Sequence, residues 1–352
     1  MHPSCSWHHH FPAVPRAEPA PKAVFSYREG DSQVLKTILK RILQIIPVLF
    51  VVVTITFVLT RLIPGDPATV MLGPQASPDA IAQMKERLGL DKPMWEQYVN
   101  YLLGVLQGDF GYAYSYSGPV LPIILDRLPA TLMITITGLV IAILIGIPIG
   151  VESAVKQNTA FDYVFMVLAL VGVSMPIFWL GLMLVLFFSV QLGWLPAMGM
   201  GSAAKGAWDV ISHMILPCSC LATIPGATFA RITRSSMLET INADYVKALR
   251  ARGLTESVVI WKHAFKNALP PILTVLGLQL ASAFAGAILT ETIFSWPGLG
   301  TLIVNAVNSR DYALIQGIVL FSAVIFVFVN LVVDIAYMLI NPRVNYESGG
   351  QS

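Results

Sequence analysis

The chain has 352 residues, of which 55% are hydrophobic and only 12% are charged, and its formal net charge is +2. Its mean hydropathy is +0.70. This composition excludes an ordinary soluble globular protein and indicates an integral membrane protein. In such a protein the positions of Lys and Arg along the chain are more informative than the net charge.

The N-terminal residues 1–35 are rich in Pro, His and Ala and contain no apolar run of signal-peptide length. We therefore expect a disordered cytosolic tail, followed by a first transmembrane helix at 36–63 that acts as an uncleaved signal anchor. Cys5 and the histidines at 8–10 could bind a metal ion, but their short, Pro-rich surroundings favour a tail.

Six apolar stretches are long enough to cross a bilayer core about 30 Å thick, which requires about 20 helical residues. They lie at 42–63, 129–151, 162–190, 212–231, 270–290 and 313–340. Pro217 and Pro225 interrupt the fourth stretch, which membrane helices tolerate when neighbouring groups bind the freed carbonyls. The sequence therefore predicts an all-α polytopic membrane protein with six transmembrane helices, a core at 128–341 and a cytosolic C-terminal tail at 342–352.

Basic residues indicate the orientation of these spans. The segment 231–266 holds seven basic residues against three acidic ones, and further basic residues precede the first span and follow the second and sixth. With six spans, all of these regions lie on one side of the membrane, which the positive-inside rule makes cytosolic. Both termini are therefore expected in the cytosol, and residues 64–127 on the outer side.

The outer region 64–127 is predicted to be a structured loop. Its turn signal is Pro64–Pro67, and Ser77 is suited to cap a helix that continues to Leu88. A second candidate helix has an apolar and aromatic face made of Trp95, Tyr98, Tyr101 and Leu102. That face is consistent either with an aromatic belt at the membrane surface or with a surface that meets a partner.

A polar stretch at 242–253 separates the fourth and fifth apolar stretches and predicts a short helix. Asn242 is suited to cap its N-terminus, and Gly253 fits the position after its C-terminus. Asp244 and Arg250 have the charges that complement the helix dipole at the two ends. This pattern indicates a stable helix with defined ends.

Apolar residues recur at helical spacing in this stretch, at Ile241, Tyr245, Ala248 and Leu249. Thr255 can cap a second amphipathic helix, whose predicted apolar stripe is Val258, Trp261, Phe265 and Ala268. A basic amphipathic element of this kind could rest on anionic lipid headgroups. It could equally fit a groove on a cytosolic partner.

Several sequence strings carry a resemblance to a known family. They are Arg61–Pro67, Gly89–Pro93, Ser174–Trp179, His213–Pro217, Arg231–Glu239, the stretch from Asn242 through Gly253 to Pro270, Glu291–Gly300 and Asn341–Arg343. In this order, over 36–343, they resemble the inner-membrane permease subunits of bacterial ATP-binding-cassette importers. The dipeptide branch is the most similar, specifically its first permease subunit. Lys247 stands where the general signature has Glu, and the interval from Gly253 to Pro270 is longer than the commonest spacing.

The resemblance implies a type I importer permease fold in the bacterial inner membrane, with 64–127 in the periplasm and a coupling loop at 232–269. It also implies a second homologous permease, two cytosolic ATP-binding subunits and a periplasmic or lipid-anchored peptide-binding protein as partners. ATP and Mg²⁺ would then be held by the partner ATPases, with no cofactor on this chain. The residues that would couple to the ATPases are Asp244, Tyr245, Val246, Lys247, Ala248, Arg250, Ala251, Arg252 and Gly253.

Four residues are candidates for a gate or a substrate path: Gln279, Ser282, Glu291 and Trp296. Glu291 could be a helix-end carboxylate in interfacial water, or a gate or contact for a substrate amine, because intramembrane carboxylates are costly and often functional. The mild polar residues Gln279 and Ser282 could line a hydrated path, although hydrogen bonding between helices is more common.

No catalytic constellation is recognisable in the sequence. A phosphate-binding Gly-x-x-x-x-Gly-Lys-Ser/Thr loop and a His-Glu-x-x-His motif are both absent. Cys218 and Cys220 lie in an apolar segment, where small buried thiols are favoured over a disulfide or a metal pair. The chain is therefore predicted to be a transporter subunit and not an enzyme.

The predicted function is ATP-driven import of di- or oligopeptides. Glutathione or nickel remains an alternative substrate for the same type of importer. An ion-coupled secondary transporter is a less favoured alternative, because it would need inverted repeats and mid-membrane carboxylates that the sequence does not show.

Overall fold

The computed structural model describes the backbone of residues 27–62, 67–73 and 75–340, and side chains from residue 43 onward with some gaps. The predicted turn Pro64–Pro67 lies largely outside the described residues, as do most of the N-terminal tail and all of the C-terminal tail at 342–352. Two compact units are present, Met1–Lys40 and Arg41–Ser352. The described part of the first unit belongs to the first helix, Tyr27–Leu62, which continues into the second unit, and all later elements lie in the second unit.

The described residues are mainly helical. The helices are α1 (Tyr27–Leu62), α2 (Pro67–Leu72), α3 (Pro78–Arg87), α4 (Met94–Leu106), α5 (Val120–Val155), α6 (Ala160–Ser174), α7 (Ile177–Leu184), α8 (Ala207–Ile241), α9 (Asp244–Ala251), α10 (Phe265–Ile293), α11 (Leu299–Asn308) and α12 (Tyr312–Ile340). Two π-helical segments, Val185–Gln191 and Val258–Ala264, and a 3₁₀ turn, Ala203–Lys205, complete the helical structure. Because α1 begins at Tyr27, the boundary predicted at residue 36 falls inside a helix.

A two-stranded antiparallel ribbon, β1 (Tyr112–Ala113) and β2 (Gly118–Pro119), lies between α4 and α5. Tyr112 pairs with Pro119 and Ala113 with Gly118.

Four helices in the described part of the chain are long and apolar enough to cross a membrane, and the bent pair that follows α5 makes a fifth. The four are in α1, α5, α8 and α12. The stretch predicted at 270–290 lies within α10, but some of its side chains are outside the described residues. The fold is therefore that of a polytopic helical membrane protein with at least four apolar spans among the residues described.

The third predicted span, 162–190, is not one straight helix. It is divided into α6 and the helical run Ile177–Gln191, which are bent by 107° relative to each other. At the break, Met175 has φ −78° and ψ 133°. This extended conformation is expected directly before Pro176, because the proline ring disfavours helical geometry in the preceding residue. The prediction of a continuous helix was wrong at this point.

The fourth predicted span is longer than expected. Helix α8 continues without a break through Pro217 and Pro225 and ends only at Ile241. It packs mainly on α5 and also on α10, in a core that includes Leu139, Ala222 and Phe229. Helix α8, packed along α5, therefore leads from the middle of the bundle directly into the polar stretch that follows.

The two helices that local signals predict before α5 are present as α3 and α4. The Ser77 hydroxyl accepts a hydrogen bond from the backbone N–H of Ala80 at 3.3 Å, so it caps α3 as expected. Tyr98 and Tyr101 of α4 pack their rings against Phe57 of α1, at centroid distances of 5.2 and 6.0 Å.

The predicted aromatic face of α4 is consequently divided between two environments. Burial raises the pKa of Tyr101 to about 12, whereas Trp95 is 69% exposed. Tyr101 therefore packs within the chain, whereas Trp95 remains on the surface.

Candidate functional site

The polar stretch after α8 folds as a tight turn followed by a short helix. Asn242 ends α8, and its side-chain amide donates to the Leu238 carbonyl at 2.9 Å. Ala243, with φ −68° and ψ 148°, is the residue that precedes α9. The predicted helix is therefore present, but Asn242 is not its N-cap: the side chain is engaged by the end of the previous helix.

Helix α9 has one buried side chain. Val246 has no exposed surface. The other predicted coupling residues are all exposed: Asp244, Tyr245, Lys247, Ala248, Arg250, Ala251, Arg252 and Gly253. Tyr245, Ala248 and Ala251 follow at helical spacing, so they form a small exposed apolar strip with cations on either side. We call these exposed residues the α9 surface.

Lys247 and Arg250 of the α9 surface each form an ion pair with a nearby carboxylate. Lys247 Nζ lies 2.9 Å from Asp244 Oδ1. Arg250 makes two bonds to Glu256, Nη2 to Oε1 at 2.6 Å and Nε to Oε2 at 3.1 Å.

The hydrogen bond from Arg250 lowers the pKa of the Glu256 carboxyl below its ordinary value. The pair is consequently formed at neutral pH and is lost only as the pH falls through that lowered pKa. Because both side chains are exposed, its contribution to stability is at most about 1 kcal/mol.

Gly253 reverses the chain direction at the end of α9. Its φ is +79°, and an added Cβ would meet nothing within 4 Å. Glycine is therefore needed there for its left-handed backbone and not for lack of space. This is the role that the sequence predicted for Gly253.

The second amphipathic element is rotated relative to the prediction. Val258 and Trp261 are 38% and 47% exposed, whereas Val259, Ile260 and Ala264 are buried. The π-helical turn Val258–Ala264 causes the change, because its wider i→i+5 bonding shifts the positions that share a face. The predicted stripe was correct only from Phe265 to Ala268.

Tyr245 links α9 to the second amphipathic element, since its hydroxyl accepts a hydrogen bond from the Asn267 amide at 2.8 Å. The exposed rings of Tyr245 and Trp261 thus belong to two consecutive elements that are joined by a direct contact. The exposed apolar surface at this end of the bundle is therefore larger than α9 alone provides.

Helix α9 packs on the π-helical turn Val258–Ala264. Two residues of that turn share one buried cluster with the ends of three long helices, and its members are Ile260, Ala264, Val151 and Ala154 of α5, Met237 of α8 and Ala268 of α10. Helix α9 is therefore connected to α5, α8 and α10 through this turn.

A buried ion pair joins α8 to α6 nearby. Arg234 donates from Nε and Nη2 to the two oxygens of Asp162, at 2.6 and 2.7 Å. Asp162 is 1% exposed and also accepts from the backbone N–H of Asn158 at 3.1 Å. Sequence reasoning missed this pair, because its members are 72 positions apart.

Glu291 occupies a buried site where α10, α11 and α5 meet. Its side chain is 0% exposed. The carboxylate accepts from the Thr131 hydroxyl at 2.6 Å and from the backbone N–H groups of Gly300 and Thr301 at 2.6 and 3.2 Å. It therefore caps the N-terminus of α11, where negative charge is favoured. The expectation of a carboxylate in interfacial water was wrong.

Trp296 belongs to the same buried group. It is 0% exposed, and its indole N–H donates to the Ala130 carbonyl at 2.8 Å. The Thr131 hydroxyl in turn accepts from the backbone N–H of Leu299 at 2.8 Å. Thr131 was not identified from the sequence, because nothing local distinguishes it from other span threonines.

Gln279 and Ser282 lie elsewhere. They line a cleft of about 200 Å³ between α5, α7, α8 and α10, together with Thr135, Leu221 and Pro225. Ser282 also lines a second cleft, of about 440 Å³, with Thr131 and Gly300. The four candidate gate or path residues therefore form two groups, one buried and one at a cleft, and Ser282 lies beside both.

The cysteine prediction is confirmed: Cys218 and Cys220 are free and buried. Within the part of the chain that is described, no group of three or more His, Cys, Asp or Glu residues could hold a metal ion.

The described residues thus combine a bundle of apolar helices with an exposed short helix. Two family models match the chain. The first, "Binding-protein-dependent transport system inner membrane component", matches residues 142–346. The second, "Binding-prot-dependent transport system membrane comp, N-term", matches residues 34–135. The chain belongs to the family of binding-protein-dependent transport system inner-membrane components.

Curated relatives agree with this assignment. The chain is 48% identical over 328 residues to the dipeptide transport system permease protein DppB of Alkalihalophilus pseudofirmus, an alignment that covers 88% of this chain and 98% of the relative. It is 42% identical over 313 residues to the glutathione transport system permease protein GsiC of Salmonella typhimurium, with coverage of 89% and 100%.

The fold is also similar to a solved structure, an inward-facing MetNI methionine ABC transporter, with a TM-score of 0.53 at 17% identity. This similarity covers 63% of this chain and 97% of the other. The curated relatives of this chain are permease proteins and not enzymes. The chain is therefore an inner-membrane importer permease with several spans.

Proposed function

We propose that this chain is the first permease subunit of an ATP-driven dipeptide importer. Its similarity to a dipeptide transport permease along 98% of that relative's length supports this substrate class. The single structural observation that carries the mechanism is the α9 surface, an exposed helix that is connected to three membrane helices through the π-helical turn Val258–Ala264.

In the proposed assembly, a second homologous permease forms the path together with this chain, and two cytosolic ATPases hold the ATP and Mg²⁺. A periplasmic or lipid-anchored binding protein delivers the peptide to the outer side. This division of labour is supported by the family description, which names dependence on a binding protein. The proposal includes no cofactor on this chain.

We further propose six spans, with α10 as the fifth and the bent pair α6–α7 as the third. This count places 64–127 in the periplasm, the α9 surface in the cytosol, and both termini in the cytosol. It is supported by the basic residues of 231–266, which the positive-inside rule assigns to the cytosol.

Movement of the ATPases against the α9 surface would convert an inward-open path into an outward-open one. The ATP-bound partner must bind the outward-open state more tightly than the inward-open state for this to occur. The ion pair between Arg234 and Asp162 would carry the displacement from α8 to α6.

Uptake of labelled dialanine by proteoliposomes that contain the complete importer tests this function. We expect ATP-dependent accumulation with dialanine and less with glutathione or nickel. Preferential uptake of glutathione would establish the alternative substrate, for which the similarity to a glutathione permease is the supporting observation. Uptake that proceeds without ATP would contradict the importer mechanism.

A further inference from the structure

A cleft of about 320 Å³ lies between α5, α6 and α8. Small, buried residues line its interior, among them Gly146 of α5, Ala169 of α6 and Ala230 of α8. Larger side chains lie at its rim, where Ile145 and Leu168 are 55% and 57% exposed. The described lining contains no Asp, Glu, Lys or Arg. The cleft is therefore apolar and accessible from the surface of the bundle.

The lining suits hydrocarbon and not a polar ligand. Its polar side chains are Ser219 and Thr223, and the Thr223 hydroxyl already donates to the Ser219 carbonyl at 2.9 Å. A peptide in this cleft would bury backbone N–H and C=O groups with few partners, which is costly. At the depth of the membrane helices, such a cleft is covered either by a lipid chain or by another apolar helix.

The end of the cleft toward α9 is adjoined by two arginines. On α8, Arg231 comes four positions after the lining residue Ala227, so it lies one turn further along the same side of the helix. Arg234 has the same relation to the lining residue Ala230. The ion pair between Arg234 and Asp162, which joins α8 to α6, therefore lies at this end of the cleft.

Arg231 gives this end an excess positive charge. Arg234 is paired with Asp162, and Lys156, which follows α5, is paired with Glu152 at 2.6 Å. Arg231 is exposed, and within the described part of the chain its side chain has no ion-pair or hydrogen-bond partner. An apolar cleft with an unpaired cation at one end matches an amphiphile that has a hydrocarbon chain and an anionic head.

We propose that this cleft binds an acyl chain of an anionic phospholipid, and that Arg231 binds the phosphate of the same lipid. Guanidinium groups suit phosphate oxygens, and basic pockets between membrane helices on the cytosolic side bind anionic headgroups. A helix of a second permease would cover the cleft but leave Arg231 unpaired, whereas the phospholipid satisfies both. The inference does not depend on the transported substrate, and it uses the proposed orientation only to assign the lipid to the cytosolic leaflet.

The test uses the complete importer in phosphatidylcholine nanodiscs with a trace of labelled phosphatidylglycerol that carries a photoreactive diazirine in its acyl chain. Phosphatidylcholine with the same chain is the matched lipid, because its headgroup has no net charge. Phosphatidylglycerol should label this subunit roughly fivefold more strongly, the effect of one cation beside an anionic headgroup. Its adducts should lie at Ile145 or Leu168.

Two variants separate the headgroup contact from the cleft. Arg231→Gln should remove the preference for phosphatidylglycerol without lowering the labelling by phosphatidylcholine. Ala227→Leu adds a larger side chain to the lining and should lower labelling at the cleft by both lipids.

Lys262→Gln is the matched control, because it removes an exposed positive charge from the turn Val258–Ala264, outside the cleft lining. It should keep the preference for phosphatidylglycerol. An equal loss of preference in the Lys262 and Arg231 variants would show only a general attraction to the basic surface and would overturn the site. Equal labelling by both lipids in the unchanged importer, or capture of the second permease by a photoreactive residue placed at Leu168, would overturn it as well.

Discussion

At the residue scale, Glu291 illustrates how a carboxylate can be structural at the depth of the membrane helices. It has no exposed surface and accepts three hydrogen bonds, one from a side chain and two from the backbone of α11. Gly298 leaves the space that the carboxylate fills, since an added Cβ there would overlap it. The geometry favours an anchor for α11 over a contact with substrate.

Replacing this anchor should destabilise the protein. In Glu291→Ala the N–H groups of Gly300 and Thr301 would lose their acceptor in a buried place, at about 1–3 kcal/mol for each unsatisfied group. We therefore expect the unfolding temperature of the purified importer in detergent to fall by several degrees. Thr292→Ala is the control, because that exposed hydroxyl bonds only within its own helix. An unchanged unfolding temperature for the Glu291 variant would show that the anchor is dispensable.

The sequence identified Glu291 as an unusual residue but could not indicate its role. Its main side-chain partner, Thr131, lies 160 positions away, and the approach of α11 depends on the packing of three helices. Local signals therefore located the carboxylate, and tertiary structure determined what it does.

At the element scale, the sequence predicted the position of α9 correctly but not which face of the helix is buried. The helix and the turn at Gly253 follow from local capping rules, and both are observed. The face that packs against the bundle is that of Val246, however, whereas Tyr245 and Ala248 point outward. A π-helical turn after it rotated Trp261 outward as well. Hydrophobic periodicity cannot predict such a shift, because it assumes a regular helix.

The turn at Gly253 should be essential through its backbone. Gly253→Val forces a β-branched residue into a φ near +79°, which costs about 1–2 kcal/mol or distorts the turn. We expect transport to fall at least tenfold while the subunit still inserts into the membrane, measured by dialanine uptake and by immunoblot of membranes.

Gly253→Asn is the matched control, because Asn tolerates the left-handed region and the surrounding space is open. It should retain most of the activity. Equal transport by the Val and Asn variants would show that the left-handed turn is not needed for coupling.

At the scale of the whole molecule, apolar segments predicted the membrane class and most span positions. The hydropathy of 162–190 did not reveal the break at Met175–Pro176, since both halves are strongly apolar. Pro176 was nevertheless a local signal for a break, because a proline disfavours helical geometry in the residue before it. The buried cluster shared by α5, α8 and α10 depends on long-range packing and was not predictable from any one segment.

In the proposed assembly, the end of the bundle that carries α9 is where the ATPases act. Helix α9 packs on the turn Val258–Ala264, and the Arg234–Asp162 ion pair joins α8 to α6. A solitary transporter would have no need for an exposed apolar strip on a cationic helix in this position. The central claim is therefore that the α9 surface receives a cytosolic ATPase.

Site-specific photo-crosslinking in the complete, membrane-embedded importer tests that claim most directly. A photoreactive residue is placed at exposed Ala248, and the control is the same residue at Lys205, which is exposed on the proposed outer side. The account predicts an ATPase adduct from position 248 and none from position 205. An adduct only with lipid at 248, or an ATPase adduct at 205, would contradict it.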